Sequence, residues 1–111
     1  MTIRFELSKK QDENRKNQIL VRISLSRNFR VGGKTRLYVS PKDWNDKTNS
    51  VRKISKIESV DKQQELTRLR EELTKLEIHI EKAIIGEHGL EGITDKKDRQ
   101  EWIAFVVESF Y

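Results

Sequence analysis

Arginines recur at alternate positions in three short segments of the N-terminal half of the chain. Arg4 lies in the first segment, Arg22 in the second, and Arg30 and Arg36 in the third. The arginine side chain carries a planar fork of N–H donors that fits a phosphate group or the edge of a guanine. Side chains at alternate positions of a β-strand point to one face of a sheet. The spacing therefore predicts a sheet with an arginine-rich face.

The intervening positions of the same segments are apolar, which is the period-2 pattern of a half-buried strand. We predict three strands whose inner face carries nine apolar residues: Ile3, Phe5, Leu7, Ile19, Val21, Ile23, Leu25, Leu37 and Val39. The predicted outward face carries nine others: Arg4, Glu6, Ser8, Arg22, Ser24, Ser26, Arg30, Arg36 and Tyr38. An outward face of this composition offers donors to phosphates and to base edges, although an ordinary solvated sheet face is the alternative.

The charge of the chain is divided between its two halves. Residues 1–56 carry 15 Lys and Arg against 5 Asp and Glu, whereas residues 57–111 carry 8 against 13. A basic half that is also the strand-rich half indicates a polyanionic partner, first of all nucleic acid. The candidate DNA-binding residues are Arg4, Ser8, Lys9, Lys10, Arg15, Lys16, Arg22, Ser24, Arg27, Arg30, Lys34, Arg36, Tyr38 and Lys42.

The segments between these strands predict the connections. Residues 9–18 contain no apolar residue and predict a solvated loop, and Arg27-Asn28 predicts a turn. Gly32-Gly33 predicts a bulge or a tight turn that interrupts the third strand. Pro41 ends the sheet and predicts a single helical turn, capped by Ser40, that folds Trp44 back onto the core.

The period of the apolar residues changes to that of a helix after about residue 59. We define the leucine seam as Leu66, Leu69, Leu73, Leu76, Ile80 and Ala83, whose spacing alternates between three and four. The seam predicts a long helix over about residues 60–85, capped by Ser59 or Asp61, that packs on the inner face of the sheet. A coiled-coil partner is the alternative use of the same seam.

A second helical pattern follows Thr94-Asp95 and is crowded with large apolar residues. Trp102, Ile103, Phe105, Val106, Val107 and Phe110 lie within nine residues, on several faces of a helix. Glycines at 86, 89 and 92 separate this segment from the long helix. We expect the C-terminal helix to pack poorly within the chain and to associate with a second copy or a following domain. The predicted fold is therefore α+β, with a three-stranded antiparallel sheet packed on one long helix, plus a C-terminal helix.

Catalytic and metal-binding patterns are missing from the sequence. The chain contains no cysteine, and its two histidines, His79 and His88, have no ligand spacing around them. Gly32-Gly33-Lys34-Thr35 lacks the earlier glycine of a phosphate loop. We expect no enzyme activity from this chain, no cofactor and no metal. Since no apolar run has the length of a signal peptide or a membrane span, we also expect a cytoplasmic protein.

Nearly all of the chain resembles a known family, and two segments carry most of the likeness. The strand Ile19-Leu20-Val21-Arg22-Ile23-Ser24-Leu25 and the block Leu37-Tyr38-Val39-Ser40-Pro41-Lys42-Asp43-Trp44-Asn45 are similar to the N-terminal arm-type DNA-binding domain of tyrosine recombinases, or integrases, from Bacteroides-like mobile elements. The Val-Ser-Pro-Lys-Asp-Trp part of this block is its distinctive element. In that family the run before the Val-x-Pro block is shorter and ends in Thr-Gly, a difference that falls between Arg30 and Arg36.

The resemblance implies a function and a domain organisation. Residues 1–90 are expected to form the arm-type DNA-binding domain, with the sheet over 3–44 and the helix over about 60–85. Residues 91–111 are expected to be a linker and helix that lead to a core-binding domain outside this chain. Double-stranded DNA with arm-type sites is the expected partner, in DNA integration and recombination of a mobile element in a bacterial cell. Strand exchange is expected of a separate catalytic domain, and Tyr111 is not its nucleophile.

An adaptor function is the alternative from a different class. In that hypothesis the leucine seam and the aromatic C-terminal helix bind another protein, and the sheet carries no nucleic acid. An RNA-binding sheet is less favoured, because stacking platforms present two or three aromatic rings and the predicted outward face has only Tyr38.

Overall fold

The computed structural model describes residues 1–27, 29–86 and 93–111. Its first half is an antiparallel sheet in the order β1-β2-β3, formed by β1 (Thr2–Gln11), β2 (Asn17–Ser26) and β3 (Phe29–Val39). The predicted three-stranded antiparallel sheet is confirmed. Four residues named in the sequence analysis lie outside the described residues: Asn28 of the predicted β2–β3 turn, His88, Gly89 and Gly92.

The register of the sheet places the apolar residues in rows across the strands. Ile3 pairs with Ile23, which pairs in turn with Val31. The next inward row contains Phe5, Val21 and Gly33. Val21 is fully buried and Ile23 nearly so. Since side chains alternate along each strand, this burial fixes the neighbouring arginines on the opposite face.

The irregularities of the sheet differ from those predicted. Gly32 and Gly33 pair regularly with Arg22 and Val21, so the glycine pair does not interrupt β3. The register of β2 and β3 shifts instead between Lys34 and Tyr38, where four steps on β3 oppose two on β2, and again between Ser24 and Ser26. A shift between Leu7 and Gln11 lets β1 run to Gln11 through residues predicted to be loop. Side-chain bonds stabilise two of these irregularities: Thr35 Oγ1 donates to the carbonyl of Ile19 (2.7 Å), and Asn17 Nδ2 donates to that of Ser8 (2.7 Å).

A short segment after the sheet anchors Trp44. Pro41–Asp43 forms a single 3-10 turn, as predicted, but no side-chain bond from Ser40 caps it. The two-residue strands β4 (Trp44–Asn45) and β5 (Ser50–Val51) then pair as a hairpin. Trp44 and Val51 are both buried in the single core cluster, which confirms that Trp44 folds back onto the sheet.

The long helix α1 (Val60–Gly86) covers the inner face of the sheet. Ser59 begins it, since its Oγ accepts a hydrogen bond from the N–H of Lys62 (3.2 Å). Four residues of the leucine seam are buried in the core with the strands: Leu66, Leu73, Leu76 and Ile80. The predicted packing of the seam on the sheet is confirmed, and the seam is not available as a coiled-coil surface.

The C-terminal helix α2 (Lys96–Glu108) also packs on the core, along β3. Asp95 Oδ1 caps its start by accepting from the N–H of Lys97 (2.7 Å). Ile103, Val106 and Val107 are buried, and His79 Nε2 on α1 lies 2.9 Å from the Val106 carbonyl oxygen. The expectation that this helix packs poorly is wrong. Three of its large apolar residues fill a space between β3 and α1. The sequence alone does not show that this space exists.

An ion network joins the 3-10 turn to α1. The buried Asp43 carboxylate accepts from Arg52 Nε (3.0 Å) and from Lys62 Nζ (2.6 Å). Burial disfavours the charged carboxylate, but the hydrogen bonds of Lys62 and Arg52 outweigh it and lower the pKa of Asp43. Arg52 also forms a forked pair with Glu58, and its hydrogen bond lowers the pKa of Glu58 to about 2.

Replacement of Trp44 tests the packing of the segment after the sheet. Because Trp44 is only 6% exposed, Trp44→Ala should lower the free energy of unfolding by roughly 3–5 kcal/mol. Trp44→Phe is the control: it keeps most of the ring and removes an indole N–H that has no hydrogen-bond partner in the described part of the chain. Urea denaturation measures both variants. Equal stability of Trp44→Ala and the wild type would rule out the packing role.

Acidification tests the ion network. A carboxylate with a lowered pKa stabilises the folded state above its ordinary pKa and loses that effect as pH falls through the folded value. For Glu58 this window runs from 4.5 down to about 2. We expect Glu58→Gln to be less stable than the wild type at neutral pH, and the difference to shrink across the window. Thermal melts at several pH values measure it, and a difference that stays constant down to the acid end would contradict the network.

Candidate nucleic-acid interface

The outward face of the sheet consists of rows of polar side chains that match the buried rows beneath. Thr2, Ser24 and Arg30 form one row, and Arg4, Arg22 and Gly32 form the next. A third row contains Glu6, Leu20 and Lys34, and Gln18 pairs with Tyr38 beyond it. We use the term outward face for the side of the sheet that these rows occupy. Five of the predicted outward residues share this side: Arg4, Glu6, Arg22, Ser24 and Arg30. Ser8 lies beyond the register shift after Leu7, and Ser26 pairs with buried Phe29.

One end of the outward face is concave. The basic depression has a volume of about 720 Å³ and is lined by residues of all three strands and of α2: Thr2, Arg4, Leu20, Arg22, Ile23, Ser24, Arg30, Val31, Gly32, Gly33, Lys34, Lys96 and Gln100. Five of these are Arg or Lys. Among the residues that the structure describes, none that lines the depression is Asp or Glu. Such a cluster of cations in one concavity attracts polyanions.

Arg22 occupies the centre of the basic depression because Gly32 leaves room for it. A Cβ added at Gly32 would lie 2.7 Å from Arg22 Nη1, too close for a carbon atom to remain without displacing the guanidinium. Arg22 Nε donates to Glu6 Oε1 (2.5 Å), an exposed pair that orients the fork across the sheet. Exposed ion pairs contribute little stability, about 0–1 kcal/mol, so a phosphate can compete for Arg22.

Arg36 is engaged by the C-terminal helix rather than free on the outward face. Its guanidinium donates to Glu108 Oε2 (2.5 Å) and lies 5.4 Å from the centre of the Tyr111 ring. The Arg36 backbone N–H donates to the Tyr111 hydroxyl (3.0 Å). Arg36 therefore fastens the end of α2 to β3.

The other predicted contacts divide between the two ends of the sheet. Lys16 lies on the α1 side, where its Nζ is 3.3 Å from Glu65 Oε1. The residues near the β1–β2 turn, which the structure does not bring into the depression, are Ser8, Lys9, Lys10, Arg15, Tyr38 and Lys42. Arg27 is exposed in the β2–β3 turn, near the Arg30 end. Arg4, Arg22, Ser24, Arg30 and Lys34 are the predicted residues that the depression brings together.

Two residues that line the basic depression, Lys96 and Gln100, were not predicted from the sequence. They belong to α2 and are one helical turn apart, which places them on one side of that helix. Contacts between α2 and β3 bring them to the depression. Ile103 lies against Gly33, where an added Cβ would be 3.2 Å from Ile103 Cγ1, and Arg99 lies 4.5 Å from the centre of the Phe29 ring. The +4 spacing of two polar residues was the only signal in the sequence.

Neither a metal site nor a membrane-spanning helix is found in the described ranges. No group of three or more His, Cys, Asp and Glu side chains there is arranged to hold a metal ion. Likewise, neither helix combines the length and the apolar character needed to cross a bilayer.

Comparison of the chain with protein-family models, with curated proteins and with solved structures gives no match in any of the three. The functional proposal therefore depends on the residues of the outward face and their surroundings.

Paired glycine substitutions test the two sides of β3. Gly32→Ala should leave the melting temperature close to that of the wild type but move the NMR signal of the Arg22 side chain, because only a mobile guanidinium must yield. Gly33→Val should cost about 1–3 kcal/mol of stability, because its methyl groups meet buried Ile103. If both variants melt alike and the Arg22 signal does not move, the assigned sides of β3 are wrong.

Proposed function

We propose that the chain binds duplex DNA through the outward face of its sheet, as the arm-site-binding domain of a site-specific tyrosine recombinase. The observation that carries the proposal is the basic depression, where Arg4, Arg22, Arg30, Lys34 and Lys96 converge. In the described part of the chain Arg22 is the one cation of these five that has an ion pair, with Glu6, so the phosphates of a nucleic acid supply the compensating charge for the others. The recombinase assignment rests on the resemblance of the Val39–Trp44 block.

The dimensions of the sheet favour the major groove of DNA. Neighbouring strands lie about 4.8 Å apart, so three strands span about 10 Å. The major groove of B-DNA is about 12 Å wide and admits a narrow antiparallel sheet. The corresponding groove of duplex RNA is deep and narrow, so protein side chains do not reach its bases. The proposal therefore requires a preference for duplex DNA over duplex RNA.

The chemistry of the outward face supports both affinity and sequence reading. Arg22 and Arg30 have forked donors that match the O6 and N7 atoms of guanine. The hydroxyls of Thr2 and Ser24 can donate to or accept from base edges. A single-stranded partner is less favoured, because Tyr38 is the one aromatic residue on the described part of this face and it lies outside the depression. Such a domain works in the bacterial cytoplasm, at the nucleoid when bound.

The alternative function, a protein-binding adaptor, has less support than DNA binding. The leucine seam that this function requires is used in the chain's own core. Phe105, on the solvent side of α2, is 74% exposed and favours a contact between α2 and a second copy or another protein. Self-association through the C-terminal helix thus stays a prediction, and it is compatible with DNA binding at the outward face.

Charge-matched triple variants test the proposed function. One variant carries Arg4→Ala, Arg22→Ala and Arg30→Ala on the outward face. The control carries Arg68→Ala, Lys75→Ala and Lys82→Ala on exposed positions of α1, and has the same net charge. We expect the first to abolish binding to a short labelled duplex DNA in fluorescence anisotropy and the control to retain it. Circular dichroism verifies that both are folded.

Two results would contradict the proposal. Equal loss of affinity in the two triple variants would show that net charge, rather than this face, attracts the DNA. Equal affinity for a duplex DNA and a duplex RNA of the same sequence would show that the sheet does not enter the major groove. For the wild type we expect affinity that falls steeply with salt, because bound phosphates release counterions.

A further inference from the structure

We infer that α2 contributes a phosphate-binding wall beside the sheet, formed by Lys96 and Gln100, that holds one strand of the duplex without reading its sequence. This inference rests on the proposed function and adds a contact that the arginine-rich strands do not supply. The observation behind it is that both residues line the same concavity as Arg4, Arg22 and Arg30, although they lie on a different element.

The position of α2 determines what these two residues can reach. The helix runs along β3 in the same direction: Arg99 lies against Phe29, Ile103 against Gly33, and Glu108 against Arg36. Its N-terminal turns therefore flank the end of the sheet that carries the basic depression. Lys96 and Gln100 lie seven residues before buried Ile103 and Val107, and therefore on the same side of the helix, the side that faces β3. At the edge of β3 both residues reach the basic depression.

The position of α2 keeps it out of the groove. The three strands already span about 10 Å of a groove about 12 Å wide. Helix α2 packs on the inner side of the sheet along the edge strand β3, where Ile103 lies against Gly33. When the outward face enters the groove, α2 therefore remains outside, behind the β3 edge, where the sugar–phosphate backbone runs. Lys96 and Gln100 then donate to phosphate oxygens, which fix position and raise affinity equally for all sequences.

The opposite edge of the sheet is built differently. The surface concavity beside β1 has an acidic residue, Glu77, in its lining, together with Arg70 and with Arg4, which it shares with the basic depression. Glu77 lies on α1, and burial, with a lesser contribution from Glu81, raises its pKa. Arg70 Nη2 donates to the backbone carbonyls of Val51 (3.0 Å) and Arg52 (3.1 Å), so the cation that this edge adds is already engaged. The wall is therefore one-sided and favours the DNA strand that passes α2.

Adjacent lysines provide a matched test. Lys96 and Lys97 are both exposed at the start of α2, but only Lys96 lines the depression. Binding of a labelled duplex of mixed sequence is measured over a range of salt concentrations for Lys96→Ala, Lys97→Ala and Lys96→Arg. Lys96→Ala should flatten the slope of log affinity against log salt by about 0.9, the value for one lost phosphate contact. Lys97→Ala and Lys96→Arg should keep the wild-type slope.

A substitution that adds a phosphate contact to the wall complements the loss expected for Lys96→Ala. Gln100→Lys adds a cation to the wall and should steepen the slope by about 0.9. Gln64→Lys, which adds the same charge to an exposed position of α1, should not steepen it. Neither lysine substitution removes a core contact, so the comparison does not depend on a destabilised variant.

The outcomes separate this inference from the proposed function. If the wild type binds duplex DNA but Lys96→Ala and Lys97→Ala have equal slopes, the wall is refuted and the sheet remains the binding surface. A loss in Lys96→Ala that appears for one duplex sequence and not for another would also overturn it, since it would indicate base contact. If the wild type does not bind duplex DNA, both the proposed function and the phosphate-binding wall are refuted.

Discussion

The alternation of side chains along three paired strands is the constraint on which the whole molecule depends. Val21 and Ile23 are buried, and Arg22 between them is exposed on the other side of the same strand. A shift of the pairing by one residue would exchange these sets, expose the core and bury the charges. The apolar core and the arginine-rich face are therefore two sides of one register. A substitution that shifts the register would therefore disturb the core and the arginine-rich face together.

Both helices lie on the inner side of the sheet, which leaves the outward face open. Helix α1 fills most of the inner side with its leucine seam, and α2 fills the remainder along β3. One ion pair near an end of each helix holds that helix to the rest of the chain. Asp43 joins the segment after the sheet to Lys62 near the start of α1, and Glu108 at the end of α2 holds Arg36. Charged residues thus serve two separate purposes, since some hold the elements together and others line the basic depression.

Local periodicity predicted most of the fold from the sequence. The alternation around Arg22 identified a strand, and the spacing of Leu66, Leu73 and Leu76 identified a helix and its buried side. The positions of the bulges were not predictable, because they depend on bonds such as Thr35 to Ile19 between different strands. Gly32-Gly33 was misleading: each glycine makes room on one side of a regular strand, for Arg22 on one side and for Ile103 on the other.

The candidate site was predictable on the strands and not beyond them. Arg4, Arg22 and Arg30 share a face because of their spacing alone, whereas the partners of Arg36 and Lys16 come from distant helices. Glu108 and Glu65 form exposed ion pairs with two of the residues predicted to contact DNA, Arg36 and Lys16. Lys96 joins the depression only through the packing of α2, and its sequence neighbours give no indication of this. Tertiary packing thus gives two predicted residues a partner on a helix and adds Lys96 and Gln100 to the lining of the depression.

The most direct test of the central claim is an NMR titration of the intact chain with a short duplex DNA. Backbone amide signals report which surface the DNA contacts, without any substitution. The proposed binding surface predicts saturable shifts at Arg4, Arg22, Ser24, Arg30 and Lys34, and small shifts on the exposed side of α1. Shifts concentrated on α1 or around Phe105, or no saturable shifts on the outward face, would contradict it.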